Sequence, residues 1–268
     1  MNLPAEILDH IFSFLKSDPA ALRACSESDP SLSRLAEPHL YFHVLLKTSD
    51  SSSDRPSNLA QLLSRRPHIA HYIRSLEIQV IGPITTHHIW CDLVEISNIL
   101  PMLLTLRQIA VNHSSAPLFF QWEAQPKSFC LAFWTCLRLP SMRDVSLTGI
   151  RQFPFISLLN NECKFLRGLT LQGCSWINDY TLASVVTDGS TSHPTGSLPF
   201  ESLCLQDVHQ ELINWAASCL LRLRSLKISS NEPEYALPKL LSSCSTTLMN
   251  LELDIRLGGS CMSPFDVP

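Results

Sequence analysis

"SLEI" (residues 75–78) alternates polar and apolar side chains, the pattern of a strand with one buried face. The pattern returns along the chain as "QIAV" (108–111), "DVSL" (144–147), "GLTL" (168–171), "SLCL" (202–205), "SLKI" (225–228) and "NLEL" (250–253). Its first apolar residue stands at 76, 109, 145, 169, 203, 226 and 251, giving intervals of 33, 36, 24, 34, 23 and 25 residues. Such a recurrence marks a repeated structural unit, one strand and its connection per interval. Leu76 and Ile78 then point into a core, while Glu77 and Gln79 point out. The same phase places Asn112, Ser146, Thr148, Thr170, Gln172, Cys204, Gln206, Lys227, Ser229, Glu252 and Asp254 on the outer strip. Such a polar, lightly charged strip suits a protein partner.

The long intervals hold extra material. "HSSAPLFFQWEAQPKSFCLAFW" (113–134) is an aromatic-rich excursion, and "TDGSTSHPTGSLP" (187–199) is a loop of turn-forming residues. Helical stretches are expected between strands. In "QELINWAASCLL" (210–221), for example, Leu212, Ile213, Ala216, Cys219 and Leu220 share a face. Upstream, "NLAQLLSRRPHIAHYIRSLEIQV" (58–80) predicts a short helix capped by Ser57, a turn at Pro67 and the first strand. The polar "KTSDSSSDRPS" (47–57) before it is expected to be a linker.

The N-terminus has a different period. In "LPAEILDHIFSFL" (3–15), Ile7, Leu8, Ile11, Phe12 and Leu15 recur at helical spacing. Pro4 fits the first turn, Glu6 lies near the positive end of the helix dipole, and Lys16 lies near the negative end. Asp18-Pro19 predicts the cap and first residue of a second helix, Pro19 to about Cys25. Asp29-Pro30 predicts a third, Ser31 to Glu37, stopped by Pro38, with β-prone "HLYFHVLL" (39–46) following. Three short helices have too little core to stand alone and need a neighbour.

"LPAEILDHIFSFLKSDPAALRACS" (3–26) together with "RLAEPHLYFHVLL" (34–46) resembles the F-box in its fungal form. The matching residues are Leu3, Pro4, Glu6, Ile7, Leu8, Ile11, Phe12, Leu15, Asp18, Leu22, Cys25, Ser26, Ala36, His39 and Leu40. The resemblance implies docking on the Skp adaptor of a cullin–RING ubiquitin ligase through Leu3, Pro4, Ile7, Leu8, Ile11 and Phe12. The chain departs from the family at Glu27 and Ser28, where apolar residues are usual, and at Leu32, where an aromatic is usual. The strand units, over about 70–257, resemble irregular leucine-rich repeats of the kind found behind F-boxes. Three of the intervals fall within the repeat range of about 20–29 residues.

These readings together predict an α+β chain. A three-helix F-box-like module (1–46), a Ser-rich linker (47–57), a leucine-rich-repeat-like α/β solenoid with a parallel sheet (58–257) and a tail (258–268) follow in order. The implied function is that of a substrate receptor in a Skp–cullin–F-box ligase. Its helices hold the adaptor, and its outer strip (Glu77, Gln79, Asn112, Ser146, Thr148, Thr170, Gln172, Gln206, Lys227 and Glu252) faces a protein substrate. The alternative is a leucine-rich interaction scaffold with no ligase link. The edge of the last strand is expected to be covered by further repeats or by a partner.

Composition narrows the remaining classes. Charged residues are 16% of the 268-residue chain, against roughly 25% in an average soluble domain, and the formal net charge is −4. No basic stripe stands out, which argues against nucleic acid as a partner. Glu6, Asp9 and His10 interrupt the only candidate secretory signal, and no apolar run approaches the roughly 20 residues of a membrane helix. The ten cysteines are therefore expected to be reduced, in cytosol or nucleus. They show no C-x-x-C spacing, and His87 or His88 with Cys91 or Asp92 lacks a second ligand pair for a metal. No G-x-S-x-G elbow or phosphate loop occurs. The sequence predicts no enzyme, no cofactor and no metal.

Overall fold

A computed structural model describes residues 3–48, 55–82, 87–113, 120–155, 158, 163–174, 200–208, 213, 222–230 and 237–255. The strands are β1 (His43–Thr48), β2 (Ser75–Val80), β3 (Gln108–His113), β4 (Phe120–Gln121), β5 (Asp144–Thr148), β6 (Ile150–Arg151), β7 (Gly168–Gln172), β8 (Ser202–Gln206), β9 (Ser225–Ser230) and β10 (Asn250–Ile255). Eight of them form one sheet in the order β1-β2-β3-β5-β7-β8-β9-β10, and every adjacent pair is parallel. β4 and β6 pair separately, also in parallel.

The register follows the sequence alignment. Leu76 lies opposite Ile109, and the row continues through Val145, Leu169, Leu203, Leu226 and Leu251. A second row runs from Ile78 through Val111, Leu147, Leu171, Leu205 and Ile228 to Leu253. Both rows are buried from β2 to β9. On β10 the same positions, Leu251 and Leu253, are exposed.

Among the described residues the helices are α1 (Ala5–Phe14), α2 (Pro19–Ser28), α3 (Pro30–Leu40), α4 (Pro56–Arg65), α5 (His87–Ile99), α6 (Lys127–Leu137) and α7 (Leu237–Cys244). α4 packs on α5 and α5 on α6. Leu59 and Leu63 of α4, Ile89, Leu93 and Ile96 of α5, and Phe129 and Phe133 of α6 share one core with the inward strand rows. The aromatic excursion belongs to this core. Trp122 meets Phe153 edge-on with ring centroids 4.7 Å apart, and it also touches Phe133. Such edge contacts are worth about 0.5–1.5 kcal/mol beyond the area they bury.

Several boundaries differ from those expected. The sheet begins inside the stretch assigned to the helical module, because 43–48 forms β1 with Leu46 and Thr48 buried. The sequence marked 39–46 as β-prone and 43–48 is strand; the run Val44-Leu45-Leu46 hides the alternation that would have placed it in the repeated series. Lys47 and Thr48 are strand, and Pro56 and Ser57 open α4, so the linker assigned to 47–57 is shorter than expected. Arg55, not Ser57, stands at the cap position of α4, since Pro56 takes the first helical place, where a missing N–H is harmless. α2 continues to Ser28, and α3 runs through Pro38 to Leu40. Pro38 falls in the last turn, where it removes one bond only; the Tyr41 N–H still reaches the Glu37 carbonyl at 3.0 Å. The loop at 187–199 and most of the helix expected at 210–221 lie outside the described residues.

The first three helices keep a small core of their own around Phe12, Leu22 and Ala36. Glu37 of α3 links them to the rest. Its carboxylate is almost fully buried and accepts hydrogen bonds from Arg66 and from His68 at 3.3 Å, both beyond α4. Burial pushes the Glu37 carboxyl up, but the bonds from Arg66 and His68, the Arg66 charge and a bond from Ser33 outweigh it. The net result is a carboxyl below its ordinary range. A depressed acid stabilises the fold above its unfolded pKa, and that contribution is lost as pH falls through the lowered value. Glu37→Ala is expected to lower stability at pH 7 by about 1–3 kcal/mol, since half-exposed Arg66 regains water. The difference from wild type should shrink when urea melts are repeated below about pH 4.

Candidate partner-binding surfaces

α1 carries two apolar stripes with the same spacing. Leu8, Phe12 and Leu15 run along one line, and Phe12 closes the small core against Leu22 and Ala36 with 2% of its surface exposed. Ile7, Ile11 and Phe14 run along the neighbouring line, one residue earlier, and continue back to Leu3. These four are 48%, 41%, 72% and 52% exposed, respectively. A helix in one domain needs one such stripe; the residues of the second belong to neither apolar core among the described residues. Full burial of each Ile or Phe is worth about 1.5–3 kcal/mol, so this is a large unclaimed source of binding energy.

The six residues expected to dock a partner therefore divide. Leu3, Pro4, Ile7 and Ile11 are exposed, Leu8 is half-buried against the helical core, and Phe12 is enclosed by it. Phe14 belongs with the exposed group and was not singled out from the sequence. Its place three residues after Ile11 on the same stripe is the signal that could have found it. His10 packs edge-on against Phe14 at 4.8 Å, and Asp9 bonds His39 of α3 at 2.8 Å, so the stripe sits on a helix held from its polar side.

The stretch that departs from the F-box pattern is accommodated without burying polar groups. Glu27 and Ser28 are exposed at the end of α2, and Leu32 packs on the small core. Asp29 caps α3, accepting from the Ser31 N–H at 2.6 Å and from the Ser31 hydroxyl. Those bonds hold the Asp29 carboxyl below its usual range.

The strand face forms the second surface. Ala110, Ser146 and Thr170 sit side by side on β3, β5 and β7 between taller rows, and a shallow depression of about 310 Å³ opens over them. Glu77 stands at its rim, accepting from Gln79 at 2.8 Å and Asn112 at 2.9 Å. At the far end Lys227 pairs with Glu252 at 2.6 Å; the bond and the charge of Glu252 raise the Lys227 ammonium. Of the expected strip, Glu77, Gln79, Asn112, Ser146, Thr148, Thr170, Gln206 and Lys227 are half-buried, while Gln172 and Glu252 are exposed. The register sets them in two rows, Glu77-Ser146-Thr170-Lys227-Glu252 and Gln79-Asn112-Thr148-Gln172-Gln206.

A row of arginines, not singled out from the sequence, marks the strand starts. Arg74, Arg107, Arg143, Arg167 and Arg224 each stand immediately before a strand. The signal was present in "RSLEI", "RQIAV", "RDVSL", "RGLTL" and "RSLKI" once the alignment is extended by one residue.

The buried thiols are unsuited to nucleophilic work. Burial pushes Cys136 up to about 12 and Cys130 and Cys174 to about 11, so they stay protonated at neutral pH. Cys91 lies 3.6 Å from His87 one helical turn away, and no group of three metal-ligating side chains occurs among the described residues. No described helix is long and apolar enough to cross a membrane.

No protein-family model matches the sequence, and no curated protein matches it significantly.

The two stripes of α1 make opposite predictions. Phe12→Ala should destabilise the three-helix unit by about 3 kcal/mol or more, and Phe14→Ala should change stability by less than about 0.5 kcal/mol. Hydrogen exchange across residues 5–40 in both variants is the measurement.

Proposed function

We propose that the chain is the substrate-receptor subunit of a Skp–cullin–F-box ubiquitin ligase. In this reading α1–α3 are the F-box-like module, and the strand array is a leucine-rich-repeat-like solenoid. The observation that carries it is the stripe Leu3, Ile7, Ile11 and Phe14, apolar and exposed on a helix whose neighbouring stripe already fills the core. A surface of this kind suits a foreign helical subunit, and the F-box resemblance names the Skp adaptor. Pro4 contributes at the helix start, and Phe12 acts only by holding α1 in place.

The receptor works by proximity. A protein bound on the strand face is held at high effective concentration beside a ligase assembled on the adaptor, so the chain needs no catalytic residue, metal or cofactor of its own. The rows Glu77-Ser146-Thr170 and Asn112-Thr148-Gln172-Gln206 offer donors and acceptors with little net charge, which favours a protein segment over nucleic acid.

The bridges from buried Glu37 to half-exposed Arg66 and His68 favour a second reading, in which α1–α3 only cap a leucine-rich interaction scaffold. Co-purification of the full chain with the Skp adaptor separates the two. Adaptor binding is expected for the wild type, and Ile11→Asp should weaken it about 100-fold or more while far-UV circular dichroism stays unchanged. Equal adaptor binding by Ile11→Asp, or none by the wild type, would leave the scaffold reading in its place.

A further inference from the structure

The arginine row is held in register by the backbone. The N–H of Arg107 bonds the Arg74 carbonyl at 2.8 Å, Arg143 bonds Arg107 at 2.8 Å, and Arg167 bonds Arg143 at 2.6 Å. Glu201 takes the place before β8, and Arg224 bonds its carbonyl at 2.9 Å. Guanidiniums one strand spacing apart, roughly 5 Å, repel one another. In the first half of the row, two of the three arginines turn toward backbone carbonyls. Arg74 donates to the Thr105 carbonyl at 3.0 Å, and Arg143 donates to the carbonyls of Pro140 and Met142 at 2.6 and 2.8 Å.

The second half gathers more positive charge instead. Arg167, Arg222, Arg224 and Lys164 line one cleft of about 500 Å³ beside β7–β9, with Glu201 and Thr247. Glu201 pairs with Arg167 and is the one carboxylate among the described residues of the lining. Among the described residues, four cations thus face one anion, on a chain whose formal net charge is −4.

We infer that this cleft binds a soluble compound carrying two or more phosphoryl groups. A single phosphoryl group brings about −1.5 to −2 charges, too few to balance the cations that Glu201 leaves over. The volume falls in the range of small-molecule sites, about 300–1,000 Å³, and exceeds what one phosphate fills. Three of the four cations are arginines, whose planar forks accept phosphate oxygens two at a time. A nucleic-acid backbone is disfavoured because the cations do not run unbroken along the row: Glu201 stands between Arg167 and Arg224. None of these residues belongs to α1–α3, so the inference stands apart from the ligase reading.

Calorimetric titration of the full chain with inorganic tripolyphosphate at about 150 mM salt tests it. One-site binding is expected, at least about 10-fold tighter than inorganic phosphate or sulfate. Arg224→Glu should weaken it about 10-fold or more, and Arg224→Lys by a smaller factor. Arg107→Glu, in the same row but outside the cleft, should leave it unchanged. Arg222→Glu repeats the test on a side chain outside the row, should Arg224→Glu disturb the fold. Equal affinity for sulfate, or wild-type affinity in folded variants of both Arg222 and Arg224, would overturn the inference. So would binding to phosphatidylcholine vesicles doped with phosphatidylinositol bisphosphate without binding to tripolyphosphate, because the ligand would then be a membrane.

Discussion

The constraint on which the molecule depends is the parallel register of two apolar rows. Leu76, Ile109, Val145, Leu169, Leu203 and Leu226 form one, and Ile78 through Ile228 the other. Because side chains alternate along a strand, a slip of one residue would expose both rows and bury Glu77, Asp144 and Lys227 in their place. The register therefore fixes at one stroke what lies in the core, what lies on the strand face and what stands at the strand starts. The polar strip and the arginine row are consequences of it.

Against that array the N-terminal helices are a small addition. Their core rests on Phe12, Leu22 and Ala36, with a ring of half-buried leucines around it. The buried carboxylate of Glu37 ties them to Arg66 and His68. A unit with so little core would usually spend all its apolar side chains inward. Here α1 turns Leu3, Ile7, Ile11 and Phe14 outward, and that allocation is what favours a partner over a simple cap.

The strand register was legible because period-two alternation is local and survives insertions of variable length. Every first apolar residue in the sequence alignment lies in the same row of the sheet. β1 was legible only as a β-prone stretch, since "HVLL" offers continuous apolar residues and no alternation marks it as one of the repeated series. The end of α3 was misread because Pro38 signals a stop only in a helix interior; in a last turn it removes one bond. On α1 the pattern showed a wide apolar face but could not divide it, because which stripe is covered depends on where α2 and α3 lie. The arginines were visible as letters, yet their meaning needed the register that stacks them and the cleft that gathers two of them.

The central claim is that the outer stripe of α1 binds a foreign subunit while the inner stripe and the strand rows do not change partners. Methyl NMR of the full chain, titrated with the Skp adaptor, reads this directly. The account predicts large shifts for the Ile7 and Ile11 methyls, with those of Leu169, Leu203 and Ile228 unmoved. Unperturbed Ile7 and Ile11 methyls at saturating adaptor would contradict it.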